Sequence, residues 1–246
     1  MSVELISVGT AGAKIWQDGT YPWKVYGAVG EGARSWALQP GIPCDDTTLD
    51  PTCFVVTVVE AGGGGDSTIT AGEVQGFPLL LTTDNAEYDG LNVQLRGEQA
   101  KLIAAKQVYL RGKFKLSEAT QSDFLFGLAE LKTDLMKTSS AHGVLATGVE
   151  GAFFVKVDGA TAINFEVYKD GAKESTTAVG TMTTSAIDYA IWWDGTRIHV
   201  YVDNVEVATL IGTLPDGNLT PSINFRAGTT TAITASVAEL AYVSIE

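Results

Sequence analysis

From Phe77 onward, apolar and polar residues alternate along the chain with a period of two. Leu91, Val93 and Leu95 are spaced this way, as are Val108, Leu110, Phe114 and Leu116, with Gly112 holding the vacant place on that face. Ile163, Phe165 and Val167 alternate with Asn164, Glu166 and Tyr168. Ile198, Val200 and Val202 alternate with Arg197, His199 and Tyr201. Successive side chains of a strand point to opposite faces, so each run predicts a strand with one face in a core and the other on a surface. On that reading Phe114, Phe126, Phe165, Ile198, Val200 and Val202 belong to the core. Between the runs stand Asp89-Gly90, Asp158-Gly159, Asp170-Gly171, Asp194-Gly195 and Asp216-Gly217, with Asp203-Asn204 between Val202 and Val205. These residue types accept the positive φ of tight turns, so the pairs read as hairpin tips. One helical turn or two is expected near Leu131–Lys137, where Leu131, Leu135 and Met136 share a face. Together these features predict an all-β fold, an antiparallel β-sandwich of jelly-roll type.

Residues 1–60 have a different texture. Trp16, Tyr21, Trp23, Tyr26 and Trp36 sit among Gly and Pro without either period. One clear strand, Phe54–Val59, closes the region, and Ala61-Gly62-Gly63-Gly64-Gly65-Asp66 follows it. That Gly run divides the chain into an extended or small β-rich N-terminal region, 1–65, and a sandwich domain, 66–246, although it would serve equally as a long hairpin loop. The five aromatics are candidate partner-binding residues, because apolar surface of that size needs cover from a partner or from the chain itself.

Length and composition narrow the function. A chain of 246 residues buries a core without disulfides or metals, and 45% apolar with 18% charged residues excludes a disordered chain. The formal net charge of −13 repels phosphate backbones and anionic lipid, which argues against nucleic acid and membrane surfaces as partners. The N-terminus, MSVELISVGTAG, lacks the basic-then-apolar pattern of a signal peptide, so synthesis in a cytosol is expected. Cys44 and Cys53 flank an acidic loop, as free thiols or as a disulfide closing it.

Two stretches together resemble a known family. Phe124-Leu-Phe-Gly-Leu-Ala-Glu130 is an apolar strand with a central Gly, and Asp194-Gly-Thr-Arg-Ile-His-Val-Tyr-Val-Asp-Asn-Val-Glu-Val-Ala208 is a hairpin. Both are similar to the concanavalin-like (laminin-G-like) jelly roll. Lys115-Leu-Ser117 ahead of Gly127-Leu-Ala129 resembles the version found in tailed-phage virions, of capsid decoration or appendage type. The resemblance covers about residues 90–246. It implies a virion protein assembled in the host cytoplasm, with the major capsid protein or another virion protein as partner and a homo-oligomeric state.

Groups for catalysis are scarce. The chain has no G-x-S-x-G, phosphate loop, H-E-x-x-H or G-x-G-x-x-G. Glycanases on this fold tend to carry carboxylates at alternate positions of one strand, and Glu87-Tyr-Asp89 is the nearest approach, with Asn92 where a further Glu would stand. His199 alternates with Ile198 and Val200 and so faces outward, while His142 falls in a polar run with no partner assignable. Asp203 with Asn204, and Glu130 with Asp134, are the nearest approach to calcium ligands, without a dense acidic loop. Trp192 and Trp193 are adjacent, so one points inward and one outward, to meet a partner, the chain's own N-terminal region or a sugar. The expectation is a non-enzymatic structural protein of a phage virion, capsid-decorating, with no cofactor, metal or catalytic residue. A glycan-binding adhesin, with carbohydrate as partner, and a cryptic glycan hydrolase are the alternatives.

Overall fold

The computed structural model describes residues 53–245 except 63–64, 72–76, 78, 99, 105 and 137–141, together with the backbone of six strands before residue 50. Those six are β1 (Val3–Val8), β2 (Ala13–Asp18), β3 (Val25–Val29), β4 (Ala33–Leu38), β5 (Cys44–Asp45) and β6 (Thr48–Leu49). The first three form one antiparallel sheet, and β5 pairs with β6.

The remaining strands build two antiparallel sheets. β7 (Phe54–Val59), β10 (Gly90–Leu95), β12 (Ser122–Ala129), β13 (Gly151–Lys156), β14 (Ala162–Lys169), β15 (Ala172–Thr181) and β19 (Thr220–Ala227) form a seven-stranded sheet, ordered β15-β14-β13-β12-β19-β10-β7. The second sheet runs β18-β17-β16-β11-β20-β9-β8. Its strands are β8 (Thr68–Ala71), β9 (Leu79–Thr82), β11 (Gln107–Leu116), β16 (Ile187–Trp193), β17 (Ile198–Val202), β18 (Val205–Leu210) and β20 (Thr234–Ile245). β4 adds an eighth member by pairing with the last six residues of β20, while β9 pairs with its first four. The strand Phe54–Val59 thus lies at the edge of the seven-stranded sheet, hydrogen-bonded to β10.

The alternation read in the sequence sets the register. Phe124 and Phe126 from β12, Phe154 from β13 and Phe165 from β14 meet Phe114 from β11 and Tyr189 from β16 between the sheets, and the Phe114 and Phe126 ring centroids lie 4.7 Å apart. Phe114, Phe126, Phe165, Ile198 and Val200 are buried, and Val202 packs on the core from its margin. Each such side chain contributes about 1.5–3 kcal/mol of burial free energy, which fixes which face of each strand turns inward.

Four of the six turn pairs stand where tight turns are needed. Asp170 and Gly171 have φ of 51° and 77°, and Asp203 and Asn204 have 47° and 69°, the left-handed pair that matches the twist of a two-residue hairpin. Asp158-Gly159 and Asp194-Gly195 link β13 to β14 and β16 to β17. The other two pairs lie on crossovers between sheets. Gly90 opens β10 because a Cβ there would stand 2.2 Å from the Phe225 carbonyl oxygen. Asp216-Gly217 lies between β18 and β19.

No helix occurs among the described residues, so the turn expected at Leu131–Lys137 is corrected. Leu135 and Met136 are apolar because they cover the outer face of the seven-stranded sheet, where they pack with Val149 on Leu125, Ala129, Phe153 and Val155. The described parts of the segment 130–149, residues 130–136 and 142–149, make the sandwich locally three layers thick.

Candidate functional site

On β10 and β19 the residues facing away from the core are Asn92, Gln94, Ser222, Asn224 and Arg226. The alternation predicts them on a solvated surface, yet all five are essentially inaccessible beneath the segment 130–149. Buried amides and guanidinium groups need partners, and for Asn92, Gln94 and Arg226 the backbone of the segment supplies them. Asn92 Nδ2 donates to the Lys132 carbonyl at 2.8 Å, and Gln94 Nε2 to the Glu130 carbonyl at 2.9 Å. Gln94 Oε1 accepts from the Lys132 N–H, and Arg226 donates to the Met136 carbonyl. Burial lowers the Arg226 pKa to about 10 against the raising fields of Asp123 and Asp134.

At one end of this strip a carboxylate–imidazole centre forms. Asp123 projects from β12 with its side chain 2% exposed, and its Oδ2 lies 2.6 Å from His142 Nδ1. The other ring nitrogen, Nε2, is 3.1 Å from Glu87 Oε1 and 3.7 Å from Asp158 Oδ2. Tyr88 stacks on the imidazole with ring centroids 4.4 Å apart. Burial disfavours charge on His142, but the hydrogen bonds to Asp123 and Glu87 and the fields of Asp123 and Asp158 outweigh it, leaving the pKa above its ordinary value. Beside the centre Lys156 is fully covered, and its ammonium donates to the Thr120 and Ser122 carbonyls and to Ser122 Oγ. Burial lowers it to about 8, against the raising fields of Asp158, Asp123 and Glu118.

The local chain explains the placement. Tyr88 has φ of 74°, a conformation bulky residues avoid, and it is held there by its N–H to the Ala227 carbonyl. Asp89 is spent on structure: Oδ1 accepts from the Ala61 N–H and Oδ2 from the Ala86 N–H. Glu87 and Asp89, read as the nearest approach to a catalytic strand, therefore diverge. Glu87 reaches a half-exposed position beside His142 and Asp89 is buried. Among the described residues, no strand carries two carboxylates on one face. The centre instead gathers Glu87, Asp123 and Asp158 from three elements, two of them within 4 Å of one ring nitrogen. Such a set can exchange a proton between an accessible carboxylate and an imidazole oriented from behind by a buried acid.

The second histidine has similar surroundings on the other sheet. His199 Nδ1 is 2.8 Å from Glu206 Oε1 and Nε2 is 3.2 Å from Asp194 Oδ2. Its ring stacks on Trp192, which stacks on Tyr109, a ladder of directly opposed cross-strand residues. Trp192 is the outward tryptophan and Trp193 the inward one, its Nε1 donating to the Ile103 carbonyl. Both faces of Trp192 meet neighbouring rings, so it offers no bare face to a sugar.

The suggested calcium ligands serve the fold. Asp203 Oδ1 accepts from the Asp188 N–H, and Glu130 Oε1 pairs with Lys132 Nζ at 2.7 Å. Carboxylate oxygens of Glu60, Asp84 and Asp89 lie within 4.8 Å of one another, but Asp89 is engaged as above and Glu60 Oε1 accepts from the Ser67 N–H. Of the proposed partner-binding aromatics, Trp16, Tyr26 and Trp36 fall on β2, β3 and β4, whose side chains are outside the described residues. Tyr21 and Trp23 lie outside them altogether.

No family model matches this chain, and no curated protein matches it. Solved structures do. The endo-1,3-beta-glucanase from Streptomyces sioyaensis aligns over 89% of this chain and 98% of its own, with TM-score 0.57 and 10% identity. The Bacillus licheniformis beta-glucanase aligns over 85% and 97%, with TM-score 0.56 and 14% identity. The carbohydrate recognition domain of Emp47p aligns over 84% and 94%, with TM-score 0.53 and 10% identity. The fold is a concanavalin-like jelly roll. At these identities the likeness is one of fold. It nonetheless corrects the expectation that the chain is no enzyme, since that expectation rested on missing motifs and the fold neighbours include glycoside hydrolases.

Proposed function

We propose that this chain is a structural protein of a phage virion, docking on the capsid and on copies of itself and holding its sandwich outward. The observation that supports this reading best is the covered strip over β10, β12, β13 and β19 on the outer face of the seven-stranded sheet. Residues 130–136 and 142–149 cover that strip with apolar packing and carbonyl-to-amide hydrogen bonds, which suits a block that docks. Both halves of the phage-like motif also build the sandwich. Ser117 bonds to Thr234 in both directions, and Gly127 lets Phe153 lie against β12, where a Cβ would stand 2.4 Å from the Phe153 Cβ. Docking is assigned to the aromatics of the N-terminal region, Trp16, Tyr21, Trp23, Tyr26 and Trp36. Deleting residues 1–60 would also remove β4 and β7 from the two sheets, so substitution is the better test. Mass spectrometry of purified particles should find the chain in stoichiometric amount. Replacing Trp16 and Trp23 by Ser should leave the protein folded and unable to join particles. A chain that stays in the soluble fraction of the lysate would sink this reading.

Glycan hydrolysis is the second reading, favoured by the gathering of Glu87, Asp123 and Asp158 around His142. Reducing ends released from β-glucans, lost in Glu87→Gln and kept in Glu174→Gln, would support it. Release unaffected by Glu87→Gln would place the chemistry elsewhere.

A further inference from the structure

We propose that His142 is a proton-operated latch that ties the near end of the segment 130–149 to the sandwich. The imidazole bridges Asp123 on β12 and Glu87 in the loop before β10. A doubly protonated ring has a donor on each nitrogen, whereas a neutral ring has one. Losing a proton therefore breaks one of the two carboxylate hydrogen bonds and leaves either Glu87 or the buried Asp123 without its donor from the ring.

The groups facing His142 all favour the charged form. Asp123 comes from β12, Glu87 and the neutral Tyr88 from the β9–β10 loop, and Asp158 from the β13–β14 turn. The cations behind them are committed elsewhere: Lys156 to the Thr120 and Ser122 carbonyls, and Arg226 to the Met136 carbonyl. The first part of the segment is held by the packing of Leu135 and Met136, by the amides of Asn92 and Gln94 and by Arg226, none of which involves the imidazole. In the end around residues 142–149, where Val149 packs on the sheet and Lys132 Nζ donates to the Thr147 carbonyl, the hold at residue 142 depends on the proton. Because the folded-state pKa of His142 lies above its ordinary value, the tie is complete below that ordinary value and is lost as pH rises through the folded-state value.

An NMR titration of the two imidazole rings between about pH 5 and pH 9, combined with amide hydrogen exchange, tests the latch. His142 should titrate above an ordinary histidine. Across that titration the amides of 142–149 should exchange about tenfold faster than intrinsic chemistry alone requires, the loss expected for one charge-assisted hydrogen bond, while β12 and β13 stay protected. His142→Gln should abolish the step. Glu87→Gln, at a half-exposed position, should lower the His142 titration while leaving the fold intact. A ring that titrates at or below the ordinary value, or one unmoved by Glu87→Gln, would overturn the latch. So would an exchange step that persists in His142→Gln, which would belong to Lys156 near pH 8 and be centred on residues 118–122.

Discussion

Gly112→Ala adds one methyl group to the core face of β11, and the structure gives the consequence. The new Cβ would stand 2.5 Å from Phe114 Cε2, and 2.8 Å from both Phe114 Cζ and Phe126 Cζ, all well inside van der Waals contact. Neither ring has room to retreat. Phe114 is tilted against Phe126 at 4.7 Å and set edge-on to Phe124 at 5.1 Å, and all three are buried. Relief of glycine's backbone entropy in a strand gains about 0.5–1 kcal/mol. Overpacking a dense core costs about 1–3 kcal/mol. The steric loss wins here because two rings must move, and the net is a destabilisation of about 1–2 kcal/mol. For a domain of this size that lowers Tm by about 3–6 °C. Urea unfolding followed by tryptophan fluorescence should show a lower midpoint with an unchanged slope. Phe114→Leu removes the offending ring, so in the double variant the methyl group should recover part of its cost, a coupling above about 0.5 kcal/mol. A Gly112→Ala protein as stable as the parent, or strictly additive effects in the cycle, would refute this account of the vacant place.

Two further outcomes follow from the burial of particular side chains. Met136→Ala should cost about 2–5 kcal/mol despite its place on the outer side of a sheet, and a cost below about 0.5 kcal/mol would show that the segment 130–149 is not packed as described. In a His142→Gln background, stability should rise between about pH 8 and pH 10, because the buried Lys156 releases its proton near 8 while the unfolded chain holds it until about 10.5. Above pH 10 it should fall, since burial raises Tyr109, Tyr189 and Tyr201 and only their unfolded forms ionise readily. Urea midpoints that stay flat from pH 8 to pH 10 would contradict the Lys156 environment.

The core was legible because a strand between two sheets obeys one rule, and the alternation of Leu91, Val93 and Leu95 or of Ile198 and Val200 states it directly. Turn chemistry was legible where the connection is a two-residue hairpin, as at Asp203-Asn204, and misread where the same dipeptide serves a crossover, as at Gly90. There a glycine answers to a passing carbonyl rather than to φ. The site was not legible. Asp123, His142 and Asp158 are separated in sequence and come from a strand, a covering segment and a turn, so no spacing announces them. Glu87 drew notice for its neighbour Asp89, the wrong partner. Leu135 and Met136 read as a helical face because a short apolar pair has the same appearance in a helix and in a segment lying over a sheet.

The polar strip beneath that segment distinguishes this sandwich from a simple two-layer one. Facing solvent, Asn92, Gln94, Asn224 and Arg226 would be ordinary surface residues. Covered, each must be desolvated, and for Asn92, Gln94 and Arg226 the expense is met only if the backbone above them stands in one register. Gln94 shows the constraint most clearly, since it donates to the Glu130 carbonyl and accepts from the Lys132 N–H, two contacts that a slip of one residue would break together. The amides thus specify where the segment lies, while Leu135, Met136 and Val149 supply most of the stabilisation. Apolar packing alone would tolerate several placements of a short irregular segment, and the amide pairs remove that freedom. The ionic contact at His142 adds a third kind of hold at its own end of the segment, the one among the three that solvent pH can reach.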